Sequence, residues 1–296
     1  MKKTTGYLRL MRPANIVTSV ADVLAGIAIS GFLANQSFQI QDLLAILLLC
    51  FSTAGLYGGG VIFNDVFDAD LDKIERPERP IPSGLITFKE AAKLGSIMLI
   101  GGILAAAATS ITSGIIAFFI ALSALVYNKW GKHHFFLGPV NMGLCRGLNL
   151  LLGISIMSNA VTDWWFLAFA PIIYIASITM ISRGEVHGGS RGNLHLAALL
   201  YGLVITLILY FAFSKGRILF SLIFLLPFAW MIFNPLLKAI KEPVGKNIGK
   251  AVKAGVLALI LMNAAWAAAF GSLYLALVII ILLPLSLKLS KIFAVT

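Results

Sequence analysis

Charge is what this chain has least of. Asp, Glu, Lys and Arg make up 12% of its 296 residues, about half the share found in soluble domains. With 59% hydrophobic residues and a mean hydropathy of +0.95, a water-soluble fold is excluded. The two cysteines, Cys50 and Cys145, lie in apolar runs, so neither a structural disulfide nor a cysteine metal site is expected. The apolar runs are continuous and do not alternate, which argues against a barrel and for membrane helices. There is no Walker-type glycine loop, no His-Glu-x-x-His and no Gly-x-Ser-x-Gly, so nothing local supports a nucleotide-driven transporter or a hydrolase. The basic N-terminus is not followed by a cleavage pattern, and no removable signal is expected.

What remains is about ten apolar segments, the first over 14–33 and 43–63, the last over 251–270 and 272–288. Short polar breaks such as Asn35-Gln36-Ser37 and Gly271-Ser272 separate them. The last break is weak enough that the final two segments read alternatively as one kinked unit. The expected fold is all-α, a polytopic membrane bundle of about nine or ten transmembrane helices. It forms a single domain over 1–296, with helical blocks at 43–157 and 164–288 whose polar loops hint at a pseudo-repeat.

The formal net charge of +11 does not point to nucleic acid, because the cations sit in short loops. They cluster before the first segment (Lys2, Lys3, Arg9, Arg12) and after the second, fourth, sixth and eighth; Lys215 and Arg217 are the exceptions. This alternation predicts an inner (plasma) membrane protein whose N-terminus and polar loops face the cytoplasm.

The second segment ends in Asn64-Asp65-Val66-Phe67-Asp68-Ala69-Asp70-Leu71-Asp72. Carboxylates at a bilayer edge are costly unless something cationic neutralises them. On a helix Asp65, Asp68 and Asp72 share a face with Asn64, while Asp70 points elsewhere. Three carboxylates and an amide oxygen suit a hard cation such as Mg²⁺, which takes its remaining ligands from water and phosphate. A solvated acidic helix cap is the plainer alternative. The basic loops nearby, which offer counter-charge to a phosphate, favour the site. Prolines 77, 80 and 82 and Gly84 then break the helix. This lets Arg76 and Arg79 fold back with guanidinium forks that suit phosphate oxygens; as plain positive-inside anchors they would need no site.

These residues resemble a known family. Asn64-Asp65 with Asp68 and Asp72 is similar to the first aspartate-rich signature of the UbiA superfamily of intramembrane prenyltransferases, and the 76–84 loop to the segment that follows it there. Arg12-Pro13-Ala14-Asn15, Tyr127-Asn128-Lys129 and Cys145-Arg146-Gly147-Leu148-Asn149 resemble further patches of that family, so the likeness spans most of the chain. The resemblance implies a bundle around a central cavity, in which Mg²⁺ held by two facing acidic motifs binds a polyprenyl diphosphate. Ionisation gives an allylic cation that a small aromatic or lipid acceptor captures. Carried over by position, Asn64, Asp65, Asp68 and Asp72 are the metal ligands, the three aspartates being the catalytic set. Arg76, Arg79 and Lys129 meet the diphosphate, and Asn15 and Arg146 face the acceptor or the cavity.

The second motif departs from the family pattern. Its place reads Ser182-Arg183-Gly184-Glu185-Val186-His187-Gly188-Gly189-Ser190-Arg191, where Glu185 alone offers a carboxylate. His187 suits a softer metal, and Arg183 and Arg191 could replace a second cation by touching the diphosphate. So divergent a motif resembles the EboC-like branch of UbiA-like proteins. The leading expectation is a Mg²⁺-dependent prenyltransferase. A non-catalytic binding protein or carrier for a hydrophobic metabolite is the alternative. A secondary transporter is disfavoured, because Asp22 is the main acidic residue inside a segment and reads as a hydrogen-bonding group within the bundle.

Overall fold

A computed structural model describes residues 3–34, 39–185 and 188–293. Lys2, the polar break at 35–37 and His187 lie outside the described residues. The chain runs α1 (Lys3–Met11), α2 (Pro13–Ser30), α3 (Ile40–Phe67), α4 (Ala69–Glu75), α5 (Phe88–Ala107), α6 (Ile111–Lys129), α7 (Leu137–Ile154) and α8 (Ser158–Trp164). It continues with α9 (Phe169–Ser182), α10 (Arg191–Ser214), α11 (Ile218–Lys241), α12 (Gly245–Ala269) and α13 (Leu273–Ile292). Among the described residues nine stretches are long and apolar enough to cross a membrane: α2, α3, α5, α6, the continuous Ser158–Ser182 stretch, and α10 to α13. The remaining long helix, α7, carries Asn141, Arg146, Asn149 and four glycines. It packs between α2, α6 and α9.

Burial separates inner helices from outer ones. α2 and α12 are buried on nearly all sides, whereas α5, α10, α11 and α13 turn broad apolar faces outward. On α3 the outward stripe is Leu43, Leu44, Leu47 and Phe51, spaced as one helix face, and hydrocarbon is the solvent that suits it. Without a hydrophobic drive between helices in lipid, close packing needs small residues. A Cβ on Gly153 would lie 2.1 Å from the Val23 carbonyl oxygen, and one on Gly26 would lie 2.3 Å from that of Leu150. The α2 and α7 backbones therefore touch at a pair of glycines.

The final two apolar segments are separate helices packed on each other, and Gly271 at φ 87° makes the turn between them. Lys215, an exception to the loop-charge pattern, sits 4.9 Å from the Trp164 ring centre and 4.6 Å from that of Phe270, held by aromatic faces. At the other end a small core of Leu10, Ile62, Val66, Ile86 and Ala91 fastens α1 and the loop before α5 onto α3. Thr87 caps α5 reciprocally with Glu90, and Lys3 reaches the same Glu90 at 2.8 Å. These contacts hold the chain segments that close over the end of α3.

Candidate active site

The last turn of α3 carries Asn64 and Asp65, Asp68 follows it, and α4 carries Asp72. The acidic run is divided between protein cations. Arg12 Nη2 lies 3.0 Å from Asp65 Oδ1. Arg79 Nη1 lies 3.2 Å from the same oxygen and 2.7 Å from Asp72 Oδ2. Lys132, just past α6, donates to Asp68. Asp70 points away as the periodicity predicts and pairs with Lys73 at 2.8 Å, and that hydrogen bond holds its carboxyl below the usual range.

Arg79 returns because the loop folds in turns. Arg79 N–H donates to the Arg76 carbonyl at 3.0 Å, Ser83 N–H donates to that of Arg79 at 3.0 Å, and Gly84 takes φ 73°. Arg12 adopts φ 48°, the one non-glycine residue with positive φ among those described. That conformation is uncommon for such a residue and joins α1 to α2 so that the guanidinium faces the acidic run.

Behind this lattice lies a chamber of about 440 Å³, within the range of small-molecule sites. Arg12, Asn64, Arg76 and Glu185 stand at its mouth. An apolar belt runs round its walls: Ile120 and Ala124 from α6, Ile175 and Ile178 from α9, Val252 and Val256 from α12. Tyr57 and Tyr127 also line it. Asn128 on the wall donates to the Gly60 carbonyl at 2.7 Å, fixing α6 against α3.

The floor is polar but internally paired. Arg146, 4% exposed, donates to Asp22 Oδ2 at 2.7 Å and to Thr18 Oγ1 at 2.8 Å. Its guanidinium lies 4.8 Å from the Tyr57 ring centre. Asn149 donates to the same Asp22 oxygen at 3.1 Å and Asn263 to Oδ1 at 2.7 Å. Thr53 donates to Asn149 Oδ1 at 2.7 Å. Asp22 is thus a hydrogen-bonded residue of the bundle, as its place in an apolar segment suggests.

Of the sequence-selected residues, Asn15, Asn64, Arg76, Arg146 and Glu185 line the chamber. Asp65 and Asp72 share Arg79, Asp68 pairs separately with Lys132, and none of the three carboxylates lines the chamber. Three cations are engaged elsewhere. Lys129 lies over the Trp130 ring at 4.6 Å. Arg183 donates to the carbonyls of Phe135 and His134 at 2.7 and 2.9 Å, pinning the loop before α7. Arg191 donates to the Lys241 carbonyl at 3.4 Å. Sequence reading did not select Arg12 or Lys132 as partners of the acidic run, nor Tyr57 and Tyr127 as lining. The Arg-Pro pair at 12–13 was a usable signal for the first; long-range pairing left none for Lys132.

A divalent cation can be tested against these donors. Glu185 Oε1 is buried and makes no hydrogen bond. Burial raises the Glu185 carboxyl above the usual range while the Arg76 guanidinium opposes the rise. The amide of Asn64 lines the same chamber, and the half-buried Asp68 lies one helical turn further along the chain, at the end of α3. All are oxygen donors, the type Mg²⁺ prefers. Among the described residues no three His, Cys, Asp or Glu side chains converge as a cage. Mg²⁺ needs none where phosphate and water complete its shell, so the donor set fits a hard cation shared with a diphosphate.

The model of the UbiA prenyltransferase family matches residues 23–247. A digeranylgeranylglyceryl phosphate synthase of Saccharolobus solfataricus is 28% identical over 203 residues, covering 67% of this chain and 69% of that protein. The synthase of the same description from Methanoculleus marisnigri is 30% identical over 236 residues, covering 77% and 80%. The solved structure of a UbiA homolog from Archaeoglobus fulgidus bound to GPP and Mg²⁺ superposes with a TM-score of 0.61 at 18% identity, over 86% of this chain and 99% of that one. An integral membrane bundle with this match over most of its length belongs to the UbiA prenyltransferase family.

Proposed function

We propose that the protein transfers a prenyl group from a polyprenyl diphosphate to a hydroxyl of a glyceryl phosphate lipid. One observation carries the reading: a single chamber joins a mouth of Arg12, Arg76, Asn64 and Glu185 to an apolar belt. That division matches an amphiphile with an anionic head and an isoprenoid tail. The names of the curated relatives favour the glyceryl phosphate acceptor over the small aromatic one.

Arg76 and Arg12 orient the diphosphate by charge-assisted hydrogen bonds. A bound Mg²⁺ would supply electrostatic stabilisation of the departing diphosphate, and Asn64 and Glu185 in the chamber, with Asp68, are the oxygen donors that would hold it. The C1–O bond breaks with its electron pair passing to the diphosphate. The acceptor oxygen bonds C1, and its proton leaves with the diphosphate. The apolar belt excludes water from the allylic cation, and Tyr127 in the wall offers it an aromatic ring. The loop charges favour a mouth on the cytoplasmic side of the plasma membrane.

The test is diphosphate release and prenyl transfer by purified protein in lipid nanodiscs. Prenyl diphosphates of several lengths are offered with a glyceryl phosphate ether or a hydroxybenzoate, in Mg²⁺ and in EDTA. Mg²⁺-dependent transfer to the glyceryl phosphate is expected. A second reading, a non-catalytic lipid-binding protein, is favoured by the protein cations already on Asp65, Asp68 and Asp72. Tight donor binding without release under every condition would establish it and overturn the first.

A further inference from the structure

A second cavity, of about 370 Å³, adjoins the mouth. Arg9, Arg12, Arg76 and Arg79 line it, against the carboxylates of Asp65 and Glu78. Arg12 and Arg79 are paired with Asp65 and Asp72. The guanidinium groups of Arg9 and Arg76 carry no hydrogen bond or salt bridge among the described residues. Gathering four guanidinium groups in one concavity costs mutual repulsion that a bound anion removes. Arg12 and Arg76 line both cavities, so they form the wall the two share. Pro80 and Ile292 are the apolar lining of the outer one, in contrast to the belt of the chamber. The outer cavity therefore suits a headgroup and the chamber a chain.

We infer that this outer cavity holds the phosphate of the acceptor. The inference rests on the prenyltransfer reading and assigns the place of the acceptor's head group. The acceptor is an amphiphile whose nucleophilic hydroxyl lies a few bonds from a phosphomonoester. With the phosphate on Arg9 and the outer faces of Arg12 and Arg76, the hydroxyl passes between those two side chains into the chamber. There it meets the carbon that the diphosphate leaves. The donor diphosphate is the rival source of phosphate chemistry for the same arginines. It is tethered to a tail that the apolar belt accommodates, which places it on the inner side of the shared wall.

Arg9 is the discriminating residue, because it lines the outer cavity and not the chamber. It is exposed on α1, so Arg9→Gln leaves packing intact. In full-length protein in nanodiscs, Arg9→Gln is expected to raise KM for the glyceryl phosphate acceptor about tenfold. KM for the prenyl diphosphate and kcat stay within twofold. An acceptor analogue with hydroxyl in place of phosphate reacts equally with both proteins. A rise in donor KM instead, or no change in either KM, overturns the assignment. Binding is read separately by the thermal shift that glycerol phosphate produces in the absence of donor. A shift in the wild type that Arg9→Gln loses supports the site even if no transfer activity is found. The same shift in both proteins, or none in the wild type, overturns it.

Discussion

Arg79 Nη1 lies 2.7 Å from Asp72 Oδ2 and 3.2 Å from Asp65 Oδ1, so one guanidinium nitrogen bridges two helices. Both carboxylates are nearly buried, with side chains 6% and 5% exposed. Removing one partner of such a pair leaves uncompensated charge and costs about 3–5 kcal/mol. Arg79→Ala is therefore expected to lower the thermal unfolding midpoint in detergent clearly, and Arg79→Lys by less. An unchanged midpoint for Arg79→Ala would show that Arg12 and water suffice to neutralise the two carboxylates.

Asp68 and Asp70 make an internal contrast. Asp68 is half-buried at the end of α3 and held by Lys132, whereas Asp70 is exposed and meets Lys73 alone. Asp68→Asn is expected to reduce prenyl transfer about a hundredfold or more, the scale seen when one preorganised electrostatic group is lost. Asp70→Asn should stay within twofold. Equal rates for both in the diphosphate-release assay would remove the acidic run from the chemistry.

Glu185 tests the metal. Its unpartnered buried oxygen predicts that Glu185→Gln raises the Mg²⁺ concentration for half-maximal release about tenfold. A metal titration reads this directly, and an unaltered curve would exclude Glu185 as a ligand.

The helices were legible because continuous apolar runs have one solution in lipid. The acidic run was legible because four aspartates at the edge of an apolar segment demand cationic partners. What pairs with them was not, since Arg12 is 53 residues from Asp65 and Lys132 is 64 from Asp68. No local pattern encodes such contacts. Arg183 and Arg191 show the converse. Their sequence neighbourhood suggested a ligand, but carbonyls exposed at the ends of helices and loops are closer partners for a guanidinium. Asp22 was legible as a group bonded inside the bundle, and the three donors around it required the fold.

The floor of the chamber invites a double-mutant cycle. Asp22→Ala leaves Arg146 buried without its anion and should cost about 3–5 kcal/mol. Asp22→Ala with Arg146→Met is expected to recover part of that loss, because an apolar replacement of a whole buried pair is far less costly than half of one. Additive losses would mean the two residues act independently.

The glycine contact between α2 and α7 should tolerate nothing larger. With 2.1 Å left for a Cβ at Gly153, Gly153→Leu must push the helices apart. Misfolded protein on size-exclusion chromatography is expected. Gly101, with nothing within 4 Å of its Cβ position, is the control, and Gly101→Ala should elute as the wild type does.

The floor also bears on how such a protein lives in an energised membrane. A water-accessible hollow shortens the distance a proton must travel across the bilayer, and a carboxylate at its base is the usual stepping stone. Asp22 is surrounded by N–H groups of Arg146, Asn149 and Asn263. Amides and a guanidinium do not exchange protons readily at physiological pH, so a relay that reached Asp22 would have no next member. A base so paired closes the chamber to protons as well as to water, which a hollow facing one side of an energised membrane requires.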